Sequence, residues 1–136
     1  MDIEISTDPN RLDVDLIHRW LSEESYWAGG VSREIVARAI DNSLCFGVYL
    51  EGRQVGLARV VTDRATFAWL ADVFILDSYR GRGYGKALIA AVVAHPELRG
   101  LRRLLLATRD AHGLYAQYGF TPVAPERFME RRGPAV

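Results

Sequence analysis

Residues 80–86 read Arg-Gly-Arg-Gly-Tyr-Gly-Lys and run directly into the apolar stretch "ALIAAVVA". Three glycines at alternate positions and three cations in one short segment suit the binding of an anion. A helix N-terminus presents unpaired N–H groups and partial positive charge, which attract phosphate. Glycine lets the backbone approach closely, because no Cβ stands in the way and positive φ costs little. Arg80, Arg82 and Lys86 would add mobile charge around those amides. The same composition also occurs in plain surface turns with solvated cations. Placement between an apolar run and an apolar helix favours the phosphate reading. Lys86 is the only lysine of the chain, but an arginine bias throughout the sequence accounts for that. A Walker loop would need Ser or Thr after the lysine, where Ala87 stands. A dinucleotide loop would need glycine at position 86 and a βαβ unit near the chain start.

The elements that must position this loop can be read from periodicity. "IEIS" alternates like a strand, and Asp8 and Pro9 suit the start of a helix that runs to about Ser22. "YWAGG" breaks the helix, and Ser32 caps a second, shorter one. "SLCFGVYL", "QVGLARVV" and "TFAWLADVFIL" follow as three strands, joined by the turn segments "EGR" and "TDRA". The loop ends the third of these. Ala87 to Ala94 then form a helix that stops near His95-Pro96. "LRRLLLAT" is a buried strand, and "DAHGLYAQY" a helix capped by Asp110 and ended by Gly119. "FTPV" and "RFMER" close the chain as strands. The order is β-α-α-β-β-β-α-β-α-β(-β), an α/β (α+β) arrangement in which antiparallel hairpins precede a crossover beginning at the glycine loop.

Length and composition bound the function. The 136 residues fit one domain, and the formal net charge of zero argues against a generally basic nucleic-acid binder. A local patch of Arg99, Arg102 and Arg103 is the one feature such a reading could use. The single Cys45 cannot form an internal disulfide, which fits a reducing compartment. The N-terminus lacks the order of a signal peptide, and no apolar run is long enough to span a bilayer. A cytoplasmic location without membrane or nucleic-acid partners is expected. No metal site is expected.

Arg80-x-x-Gly83-x-Gly85 resembles the (Q/R)xxGx(G/A) signature of the GNAT superfamily of N-acetyltransferases. "LADVFILDSYRGRGYGKAL" is similar to that family's fourth strand, loop and third helix. "LLLATRDAHGLYAQYGFTPV" is similar to its fifth strand and fourth helix, with the frequent "LYxxxGF" ending. The element order agrees as well. The resemblance therefore spans nearly the whole chain and is strongest from Trp69 to Val123. It implies a mixed central sheet of about six to seven strands flanked by four helices.

It also implies acetyl-CoA as co-substrate and a primary amine, of a small molecule or a protein, as acceptor. The pyrophosphate would lie on Arg80, Gly81, Arg82, Gly83, Tyr84, Gly85 and Lys86. The pantetheine arm would pair with the strand at Val73, Phe74 and Ile75, where the Val73 N–H would face the thioester oxygen. Asp110 is counted with these cofactor-binding residues, and as a helix cap rather than a catalyst. Tyr115 matches the tyrosine that many members use to protonate the leaving thiolate, and the alternative is a core tyrosine. His112, on the same helix, reads better as a surface histidine. Several relatives carry Glu or His on the inward face of the fourth strand, whereas that face reads Trp69, Ala71, Val73 here. Asp72 is out of phase unless a β-bulge re-aims it. Deprotonation through ordered water is therefore expected. Tyr26 and Trp27, between the first two helices, and Trp69 would form aromatic walls around the acceptor. A non-catalytic acyl-CoA-binding module of the same fold remains the alternative, and a homodimer is left open.

Overall fold

The computed structural model describes residues 2–134. Five strands form one mixed sheet in the order β1 (Ile3–Ser6), β2 (Leu44–Leu50), β3 (Arg53–Thr62), β4 (Phe67–Ile75) and β5 (Arg103–Leu106). The first four make an antiparallel meander, and β5 returns parallel to β4. Glu51 and Gly52 close the β2–β3 hairpin with φ of 51° and 80°, the sense that suits strand twist. Asp63 builds the β3–β4 turn by accepting the amides of Ala65, Thr66 and Phe67 and the Thr66 hydroxyl. Those bonds hold its carboxyl below the usual carboxylate range, the Thr66 hydroxyl contributing most.

Four helices cover the sheet: α1 (Val14–Glu23), α2 (Arg33–Asp41), α3 (Tyr84–Ala94) and α4 (His112–Ala116). Successive strand residues point to opposite faces, so the alternation sorts two cores. Cys45 and Leu57 meet Ile17, Trp20, Leu21, Val36 and Ile40 of α1 and α2. Phe46, Ala58 and Val60 meet Leu88, Ile89 and Val92 of α3, together with Tyr115. Full burial of a side chain such as Leu88 stabilises by about 1.5–3 kcal/mol, so α3 is held mainly by its packing.

Four expectations need correction. The first helix is not continuous: a 3-10 turn at Pro9–Arg11, capped by Asp8, precedes α1. Asp13 restarts the chain there, because its carboxylate accepts the Leu16 amide and its own N–H donates to Gln54. Helix α3 begins at Tyr84 rather than Ala87, since Gly83 at φ 84° already turns the backbone into it. Asp110 does not cap α4; Ala111 occupies that position, and Thr108 Oγ1 accepts the Ala111 amide at 3.0 Å. Neither "FTPV" nor "RFMER" joins the sheet, which has five strands rather than six or seven. Pro122 and Pro125 remove ladder donors, Pro125–Arg127 forms a 3-10 turn, and every residue from 121 to 134 is exposed.

Candidate active site

Strands β4 and β5 part company halfway along. Their ladder covers Phe67–Leu70 against Arg103–Leu106 and stops, while β4 continues to Ile75 with β3 on its other side. From Ala71 to Ile75, one edge of β4 is therefore uncovered by any described strand. The Leu76 N–H donates to the Val55 carbonyl across β3 at 2.9 Å. Alternation then turns the peptide groups of Ile75 and Val73 toward the uncovered edge and that of Phe74 toward β3. The Ile75 carbonyl accordingly accepts from Arg80 Nε at 3.1 Å. An edge of this kind presents amides and carbonyls to an extended ligand.

The uncovered edge leads into the glycine loop. Gly81 and Gly83 take φ of 79° and 84°, and α3 starts without any side-chain cap. No described group accepts the N–H groups of residues 81–86; the first helical bond is from Ala87 to Gly83. These amides are thus a run of donors with no described acceptor at a helix N-terminus, which suits a phosphate group. The side chains divide the work. Arg80 braces the loop through Ile75 and lies 3.3 Å from Asp77. Arg82 sits over the Tyr79 ring at 5.2 Å, and Lys86 is exposed. Tyr84 is buried and donates its hydroxyl to Asp2 at 3.1 Å, so only its backbone faces a ligand. Tyr118 donates to the Lys86 carbonyl at 3.0 Å and ties the end of α4 to the first turn of α3.

The β4 edge owes its aim to a bulge. Leu57 pairs with Phe74 and Arg59 with Ala71, which leaves Ala58 alone opposite Asp72 and Val73. Asp72 takes φ of 42°, in the left-handed region. The extra residue reverses the phase of the strand: Phe74 joins the α1–α2 core, whereas Val73 and Ile75 pack toward α3. The expected inward row Trp69, Ala71, Val73 therefore breaks at Val73, and Asp72 is re-aimed. Its Oδ2 accepts from Arg59 Nε at 2.6 Å and its Oδ1 from the Trp27 indole at 2.7 Å. Arg59 also donates to Ser43 Oγ at 3.1 Å. Both carboxylate oxygens are engaged, so Asp72 organises the site and is not a free base. Arg59 and Ser43 escaped the sequence reading. The signal was a lone guanidinium in the apolar run "VGLARVV", since a charge in a buried strand requires a partner.

The α1–α2 connection crosses the gap between the parted strands. Trp27 is fixed to β4 through Asp72, while the Tyr26 hydroxyl accepts the Arg109 amide at 3.1 Å beyond β5. The Arg109 guanidinium covers the Tyr26 ring at 3.8 Å. Trp20 stacks on Phe74 at 4.3 Å and leans on Trp27 at 5.7 Å, so the strap rests on the core. Tyr115 is buried against Phe120. Burial pushes its phenol above the ordinary value of 10, with smaller contributions from Tyr26 and Asp110. Trp69 is exposed, opposite Val61 and Leu105, and stacks on neither Tyr26 nor Trp27. Asp110 and His112 are exposed at the start of α4.

A parted parallel pair, a bulge at the parting and an uncapped helix beyond it give an extended ligand an open strand edge that leads to unpaired amides. Residues 14–120 match the model of the acetyltransferase (GNAT) family, and the chain belongs to that family. A solved candidate acetyltransferase of the GNAT family from Xanthomonas campestris pv. campestris is 58% identical, with a TM-score of 0.95 over 98% of this chain and 95% of that one. A candidate acetyltransferase of Gibberella zeae is 34% identical over 138 residues, covering 85% of this chain and 77% of the relative. N-alpha-acetyltransferase 80 of Mus musculus is 36% identical over 83 residues, 57% of this chain and 26% of that protein. Acyl transfer from acetyl-CoA is the activity of the family. No helix among the described residues is long and apolar enough to cross a membrane.

Proposed function

We propose that this chain transfers the acetyl group of acetyl-CoA to a primary amine, in a ternary complex of both substrates. One observation carries the reading: the uncovered edge of β4 ends at an uncapped helix N-terminus whose amides from 81 to 86 have no acceptor among the described residues. An extended arm ending in a pyrophosphate fits both parts. The Val73 peptide group and the Ile75 N–H would hold the arm, with Phe74 packing behind them. The amides of Gly81 to Lys86 would hold the phosphates, and the Arg82 and Lys86 side chains would add charge. Arg80 acts mainly by bracing the loop.

When bound, acetyl-CoA supplies a thioester, which an amine lone pair can attack. The Val73 N–H, fixed by the bulge, is a preorganised donor for the carbonyl oxygen, a role worth about 3 kcal/mol. The Tyr115 hydroxyl stays protonated across the neutral range and can give its proton to the leaving sulfur. No described carboxylate or histidine is free beside Val73, so the amine's proton leaves through water. Acceptors would enter beside the Tyr26–Trp27 strap, with Trp69 further along the same face. The naming of the mouse relative as an N-alpha-acetyltransferase supports an amine acceptor.

The test is release of free CoA thiol in the presence of a panel of primary amines. Amine-dependent release is expected. Tight acetyl-CoA binding without release for any amine would mark a non-catalytic acyl-CoA-binding module instead.

A further inference from the structure

We infer that the acceptor is a primary amine with a compact apolar body, held in the pocket between α1, α2 and the β4 bulge. This deepens the acetyltransferase reading above and rests on it.

The pocket has a volume of about 190 Å³. Its floor is Ile17, Val36 and Leu57, all at 3% exposure or less, and its rim includes Trp27 and Ile35 at 42% and 45%. Among the described residues, Arg59 and Asp72 are its only charged lining groups. Asp72 precedes Val73 in the chain, so one wall of the pocket adjoins the amide that faces the uncovered edge. An amine nitrogen near Asp72 would stand beside the proposed thioester position while its carbon body filled the pocket.

Size and polarity then select the body. A cavity of about 150 Å³ accommodates benzene, so this one takes a phenyl ring or a branched alkyl group. Each buried methylene improves affinity roughly fourfold. Several hydroxyl groups cannot all find partners there, because Arg59 and Asp72 already bond to each other, to Ser43 and to Trp27 and leave only the remaining Asp72 lone pairs. A buried hydroxyl left without a partner loses roughly tenfold or more. Polycationic acceptors are disfavoured too, since the single lining carboxylate is neutralised by its own arginine. Asp72 still has lone pairs open, about two of the four on an ionised carboxylate, to orient one amine.

Phenethylamine and isoamylamine should therefore show kcat/KM at least tenfold above glucosamine and spermidine. Ala39→Phe fills the pocket and should collapse that preference to under threefold, with the KM for acetyl-CoA unchanged. Ile35→Asn, at the exposed rim, should weaken it in the same direction and safeguards against misfolding of the first variant. Calorimetric titration of the four amines into the CoA-saturated protein reads the same preference without turnover. Glucosamine or spermidine proving best, or the preference surviving both substitutions, would overturn the inference. Failure of the broader reading is separately visible, as absence of acetyl-CoA binding or of CoA release with every amine.

Discussion

Replacing Asp72 by asparagine separates charge from shape at the β4 bulge. Asparagine tolerates the left-handed backbone about as well as aspartate and keeps an oxygen for the Trp27 indole. The ion pair and hydrogen bond to Arg59 are lost, and the amide NH2 that replaces Oδ2 faces the Arg59 N–H as a second donor. The two side chains are 11% and 18% exposed, nearer the buried regime than the surface one. Exposed pairs contribute about 0–1 kcal/mol, whereas stripping one partner from a buried pair costs about 3–5 kcal/mol. Ser43 still accepts one Arg59 N–H, and the remaining exposure admits water. A loss of about 2–3 kcal/mol is therefore expected. With a urea slope of about 1–3 kcal/mol/M, the unfolding midpoint should drop by roughly 1–2 M at constant slope. Asp72→Ala should fall further than Asp72→Gly, because only glycine relieves the positive φ. A midpoint within roughly 0.3 M of wild type for Asp72→Asn would mean that solvent screens the pair, and the bulge would need another anchor.

Four further outcomes follow from the structure. Tyr115→Phe should lower single-turnover rates by about 100-fold with acetyl-CoA affinity retained, and equal rates would make the residue purely structural. Because burial raises the Tyr115 phenol in the folded state, its contribution to stability is intact below the unfolded value near 10. That contribution fades as pH rises through the folded value, so the phenylalanine variant should resist alkaline unfolding better; an unchanged alkaline melting curve would contradict this. Burial also pushes the Cys45 thiol up to about 11. Thiolate is then about a thousandth of the thiol at pH 8, so a disulfide reagent should label native protein far more slowly than urea-unfolded protein. Gly56→Ala should destabilise strongly in thermal melts, because its Cβ would lie 2.8 Å from the Phe74 carbonyl and 2.6 Å from Ile75.

The parts legible in the sequence are those governed by local chemistry. Strand β1, the three strands of the meander and the Ser32 cap of α2 lie where alternation and turn residues put them. The glycine loop also lies where its residues put it, between β4 and α3, with Gly81 and Gly83 in the left-handed region that glycine favours. What escaped depends on partners distant in the chain. Asp72 needs Arg59, 13 residues away, and Trp27, 45 residues away, before its direction has meaning. The bulge reversing Val73 and Phe74 is a mismatch between two strands, and neither strand carries it alone. The C-terminal strands failed for the opposite reason: "RFMER" has the alternation of a strand, but the prolines before it keep the segment from lying along β5.

Calorimetric titration of acetyl-CoA into the wild-type protein and Gly83→Val tests the central claim most directly. Gly83 sits at φ 84°, where the chain enters α3, in the middle of the amides that no described group accepts. Valine there costs roughly 1–2 kcal/mol in backbone strain and places a branched side chain where phosphate would approach. Saturable binding by the wild type and at least a tenfold weaker affinity in a variant that still melts cooperatively is the expected result. No binding to the wild type, or equal affinity in the folded variant, would contradict the account.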